Sequence, residues 1–97
     1  MDIYVLIEEN KDTIFCLGVS KDYEKMIGKM YLTADEWRGN YGEDYSVKTS
    51  DLYELEGESG VGITITAESK TGSSETFEHH LYVLTHHEPV KKDQYAF

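Results

Sequence analysis

The sequence predicts a single small α+β domain in which an antiparallel sheet of four or five strands carries one or two helices on one face, in the order β-β-α(-α)-β-β-β. Three observations predict it: two β-rich runs open the sequence, a segment of helical period follows from Tyr23, and strictly alternating apolar residues recur from Val61 onward. The connections within each flanking strand pair are short, which favours antiparallel neighbours.

Ile3 to Glu8, continuously apolar through Ile3, Tyr4, Val5, Leu6 and Ile7 and followed by the polar cluster Glu9-Asn10-Lys11-Asp12, reads as a buried strand and a turn. Thr13 to Val19 is β-branched and aromatic, so the simplest pairing is a hairpin, with Gly18 marking a bulge near its end. Ser20 is a good N-cap, and the apolar residues Tyr23, Met26, Ile27, Met30 and Tyr31 then fall on one helical face. Of these, Tyr23, Met26, Ile27 and Met30 are expected to be buried against the sheet. Lys21, Lys25 and Lys29 form a solvated stripe on the other side.

Thr33 and Glu36 have the spacing of a capping box, and Leu32 and Trp37 that of a hydrophobic staple, which predicts a break or a fresh helix ending near Gly39 to Gly42. After a polar stretch, Leu52 to Glu56 reads as a short strand, and Gly57-Glu58-Ser59-Gly60 as a turn. Val61, Ile63, Ile65 and Ala67 alternate with polar residues and glycine, marking a strand with one buried face. Lys70 to Ser74 is loop, and Thr76 to Thr85 is the last strand, with Phe77, Leu81 and Val83 on one face and Tyr82 and Leu84 on the other. Pro89 ends regular pairing, so the domain is expected over residues 1–88 and a polar tail over 89–97.

The charge narrows the function classes. Nineteen Asp and Glu against nine Lys and Arg give a formal net charge of −10, which opposes direct binding to nucleic acid or to anionic membranes and favours a basic protein surface. With 97 residues there is one core and no room for a separate catalytic module. The single Cys16 has no internal disulfide partner, and no positively charged leader followed by an apolar stretch opens the sequence. A cytoplasmic location is expected.

The residues that suggest chemistry have simpler readings. His79, His80, His86 and His87 invite a metal, but strand neighbours point to opposite faces, and His80 and His86 are ~20 Å apart at the usual rise. Partly exposed sheet histidines are expected, with no metal and no cofactor. Cys16, between apolar neighbours in a strand, reads as a small buried hydrophobe. Gly57, Gly60 and Gly62 lead into a strand rather than a helix, so they form a turn with a bulge rather than a phosphate loop. No Gly-x-Ser-x-Gly elbow is present, and the abundance of carboxylates makes accidental acidic pairs the rule. No enzymatic activity is expected.

What remains is the distribution of acids. Asp35, Glu36, Glu43, Asp44, Asp51, Glu54, Glu56 and Glu58 stand against Arg38 and Lys48 alone, six net negative charges in a quarter of the chain. Trp37, Tyr41, Tyr45 and Tyr53 are interleaved with them, and aromatic rings beside carboxylates are one way to grip lysine and arginine. The expected site is the set of acids together with Trp37, Tyr41 and Tyr45, binding a basic protein partner such as a nucleic-acid-binding protein or nuclease. In composition, though in no motif, the chain is similar to phage-encoded inhibitors of the DNA-mimic type. The competing expectation is an oligomeric structural or small-ligand-binding domain, self-associating through a sheet edge.

Overall fold

A computed structural model describes residues 2–11, 13–71 and 75–87. Strands β1 (Asp2–Glu9) and β2 (Ile14–Ser20) form the opening hairpin, and helix α1 (Tyr23–Tyr41) follows. The chain then runs through β3 (Tyr45–Thr49), β4 (Tyr53–Glu54), β5 (Gly60–Ser69) and β6 (Thr76–His87). All pairings are antiparallel, in the spatial order β2-β1-β6-β5-β3, with β4 pairing β5 beyond the end of β3. The α+β architecture and the placement of the helix after the second strand are as the sequence predicts.

The sheet has six strands rather than four or five. The added strand is β3, in the stretch read as merely polar. Val47 is its one aliphatic residue and packs against the core opposite Ala67, a signal too brief to register as alternation. The strand read over Leu52 to Glu56 contracts to Tyr53–Glu54.

Helix α1 is continuous, without a break at Thr33. Its cap is Asp22, whose carboxylate accepts from the Lys25 backbone N–H at 3.2 Å, while the Ser20 hydroxyl accepts from the Asp22 N–H. A capping box requires a chain entering the helix, whereas at Thr33 the helical face simply continues through Met26, Met30, Ala34, Trp37 and Tyr41. The Thr33 hydroxyl instead donates to the Lys29 carbonyl one turn back, and Leu32 of the supposed staple is 58% exposed. The helix ends at Gly42, whose φ of +70° lies in the region glycine tolerates.

The core lies between α1 and one sheet face and consists of Leu6, Met26, Met30, Ala34, Ile63, Ile65, Leu81 and Val83. Ile27 only borders it, and Tyr23 is exposed, its ring set edge-to-face against Tyr4. The expected alternation of β5 is realised, with Ile63, Ile65 and Ala67 fully buried.

In β2 the register shifts opposite Leu6 and Ile7, which pair Gly18 and Cys16 and leave Leu17 as an extra residue. This is the bulge that Gly18 foreshadowed, placed one residue earlier. It turns Leu17 to the core and leaves Cys16 opposite Ile7 on the far face, so Cys16 is exposed rather than buried. Around the glycine patch, Gly57 takes a positive φ in the turn before β5, and a Cβ on Gly62 would lie 2.7 Å from the Tyr82 ring. That patch is turn and strand, as expected, but the recorded bulge lies in β2, opposite β1. The tail over 89–97, and with it the boundary at residue 88, lies outside the described residues. No helix among the described residues is long and apolar enough to cross a membrane.

Candidate functional site

Period-two alternation in β1 places Glu8 on the same sheet face as Leu6, and in β6 it places His79 with Leu81 and Val83. Both polar side chains therefore point under the C-terminal half of α1, where Glu8 is 4% and His79 6% exposed. A sheet histidine expected at the surface is thus a core residue. His80, on the opposite face, keeps partial exposure and bonds the Thr64 hydroxyl at 3.0 Å.

Helix α1 closes over this pair with two aromatic residues one turn apart. The Trp37 indole N–H donates to Glu8 Oε1 at 2.7 Å, and the indole stacks on the His79 imidazole with centroids 4.0 Å apart and planes inclined by 19°. Tyr41 Oη lies 2.5 Å from His79 Nε2, and its ring packs against Tyr45 and Phe77. His79 Nδ1 faces Glu8 Oε2 at 3.7 Å, too far for a hydrogen bond, and is buried without a partner.

Protonation follows from burial. Desolvation lowers the His79 pKa below the usual histidine value, outweighing the attraction of Glu8, and raises that of Tyr41, with Tyr45 and Glu8 adding to the increase. Near neutral pH the imidazole is uncharged and the phenol is intact; the Glu8 carboxylate facing Nδ1 favours the ring proton there, and in that tautomer Tyr41 donates to Nε2. The chain Glu8–His79–Tyr41 has the order of an acid–base relay. Its terminal hydroxyl, however, is moved away from ionisation, which is the opposite of what an activated nucleophile needs.

A groove of about 200 Å³ opens beside Glu8 between α1 and β2, lined by Glu8, Leu17, Thr33, Glu36, Trp37 and Asn40. Phe15, 48% exposed, pairs with Glu8 and so stands on the same face. Lys29, which reaches β2 from the helix, donates to the Leu17 carbonyl at 2.6 Å and forms no ion pair with Glu8.

The residues singled out from sequence are divided by the fold. Asp35 and Glu36 are exposed on α1, and Glu43 and Asp44 are exposed in the turn beyond it. Asp51, Glu54, Glu56 and Glu58 are exposed along β4 and its flanking turns. Tyr45 pairs with Ser69 and Glu54 with Val61, so these two levels stand eight β5 residues apart, or ~26 Å at the usual rise. The acids therefore make two patches rather than one face. Among the described residues none of the eight is ion-paired to Lys or Arg, and Arg38 bonds the Thr49 hydroxyl. Trp37 and Tyr41 turn inward to Glu8 and His79, and Tyr45 is half-buried beside them.

Glu8 and His79 were missed by sequence reasoning. The available signal was their parity with Leu6 and with Leu81. No group of three His, Cys, Asp or Glu side chains that could hold a metal occurs among the described residues. The chain matches no protein-family model, and neither a curated protein nor a solved structure shows significant similarity to it.

Proposed function

We propose that this protein is a non-enzymatic binding module that docks on a basic protein surface and keeps that surface from its anionic ligand, as a mobile-element inhibitor of a nucleic-acid-binding protein or nuclease would. The observation that supports this reading is the set of eight carboxylates from Asp35 to Glu58, none neutralised by a Lys or Arg of the described residues. Because they fall into two patches ~26 Å apart, the partner surface in this reading carries two basic areas at that separation.

The test starts from a partner captured from the native host and purified. In this reading the protein displaces a fluorescent single-stranded oligonucleotide from that partner, and the displacement weakens steeply as salt rises from ~50 to ~300 mM. Reversing Glu43, Asp44, Glu54 and Glu56 to Lys should slow association at least tenfold without unfolding the domain, because charge chiefly governs encounter. Displacement that ignores both salt and the reversals would sink the reading.

A second reading is self-association, favoured by the exposed apolar residues of the edge strand β2, with Ile14 at 64% and Val19 at 59% exposure. A sedimentation series over concentration separates the two: this reading requires a dimer whose dissociation Ile14→Lys and Val19→Lys promote.

A further inference from the structure

The geometry points to a binding site for one cationic side chain, a lysine or arginine presented by a protein partner, in the groove between α1 and β2 with Glu8 at its floor. This rests on the proposed docking to a basic protein surface and names the contact that would anchor it.

Glu8 is the structural reason. A carboxylate this buried ordinarily has a cation beside it, because neutral donors compensate only part of the lost hydration. Here one oxygen has the Trp37 indole N–H at 2.7 Å, and the other has only His79 Nδ1 at 3.7 Å and accepts no hydrogen bond among the described residues. Lys29 belongs to the same flank of the helix, yet its ammonium is held by the Leu17 carbonyl. Among the described residues no Lys or Arg forms an ion pair with Glu8.

The groove suits a long basic side chain in shape as well. Leu17 and the Trp37 ring offer apolar walls to a methylene stem, and long basic side chains bury their stems while the charged head seeks a partner. Glu36 and Asn40, both exposed, line the same groove and carry further acceptor oxygens. At about 200 Å³ the space lies below the ~300–1,000 Å³ usual for small-molecule ligands, which favours a single side chain. Glu8 and Glu36 exclude an anion, and no group of three His, Cys, Asp or Glu side chains that could hold a metal ion occurs among the described residues.

The experiment uses the full chain, labelled with ¹⁵N, titrated with capped nine-residue peptides of lysine, of arginine and of alternating glycine and serine. Binding is followed at the Trp37 indole N–H resonance and by calorimetry. The expected result is a saturable shift of that resonance with the basic peptides only, the lysine and arginine arms showing which head group fits better. Glu8→Gln, which keeps an acceptor for Trp37 but removes the charge, should weaken binding about tenfold. The triple change Glu24→Gln, Glu68→Gln, Glu75→Gln removes three charges from exposed positions that do not line the groove and should weaken it less than threefold. Should Glu8→Gln fail to fold, Glu36→Gln at the exposed rim substitutes for it, with about threefold weakening and a smaller Trp37 shift expected.

A triple variant that loses as much affinity as Glu8→Gln would overturn the groove, since attraction would then be diffuse, while leaving docking to a basic surface intact. Peptide binding that leaves the Trp37 resonance in place would have the same meaning. No binding of either basic peptide would overturn both.

Discussion

Trp37→Phe isolates one interaction, because it keeps a flat ring against His79 while deleting the N–H that reaches Glu8. A hydrogen bond to a charged group contributes ~1.5–3 kcal/mol, and a buried acceptor left without its donor pays the upper part of that range. Stacking is largely retained, so the expected loss is about 2–3 kcal/mol. In a domain of this size 1 kcal/mol moves the melting temperature by ~4–8 °C, so a fall of roughly 10–20 °C is expected. Urea unfolding followed by far-UV circular dichroism gives the free energy directly and does not depend on the removed fluorophore. The same substitution in a Glu8→Leu background supplies the control, since without the carboxylate the N–H has nothing to satisfy. There the cost should drop below ~1 kcal/mol. A loss under ~0.5 kcal/mol in the native background, or equal losses in both, would refute the claim that Trp37 is held by Glu8.

Three further outcomes are expected. Ile63→Ala removes three carbons from a fully buried site and should cost about 3–4 kcal/mol, whereas Ile27→Ala, at the border of the core, should cost about 1 kcal/mol; equal costs by denaturant titration would displace the core assignment. Burial holds the folded-state pKa of His79 below the ordinary histidine value of 6.5, so its contribution to stability is full above that pH and is lost as pH falls through the folded value. Glu8, Tyr41, Trp37 and the adjacent His80 are the groups around it, and between pH 7.5 and 5.5 the native chain should lose more stability than His79→Gln; parallel melting curves would remove His79 from the pH response. Finally, added salt should raise the melting temperature, with most of the gain complete near ~0.15 M. The two acidic patches already lie farther apart than the ~10 Å screening length at 0.1 M, so only repulsion within each patch remains to be screened. A flat response would mean that the carboxylates do not strain the fold.

The sequence made legible those parts of the fold whose signal is local and repeated. The alternation from Val61 to Ala67, the apolar run of β1 and the turn at Asn10 each combine several residues that agree. Helix continuity was obscured at Thr33 because a capping box and an uninterrupted apolar face use the same residues, and only packing of Ala34 and Trp37 on the sheet decides between them. Strand β3 rests on Val47 and on pairing with β5, which are tertiary facts. The site was half-legible. Trp37 and Tyr41 were marked as aromatic residues among acids, but their carboxylate is Glu8, 29 residues before Trp37, and not one of their acidic neighbours. Proximity of that kind follows from sheet order, which spacing along the chain does not reveal.

The pairing of β1 with β6 has a kinetic consequence. Its partners run from Glu9 with His80 to Asp2 with His87, so the central ladder of the sheet joins residues 71 to 85 positions apart in the chain. Closing so long a loop costs entropy before any contact repays it, and domains dominated by such pairings fold in milliseconds to seconds rather than microseconds. Until β6 has emerged from the ribosome, β1 has one bare edge, and Glu8 has neither His79 beside it nor the finished sheet that seats Trp37 above it. The β1–β2 hairpin with α1, and β3 with β5, can exist beforehand only as separate and weakly held pieces. Acquisition of the buried carboxylate site therefore waits for the synthesis of β6.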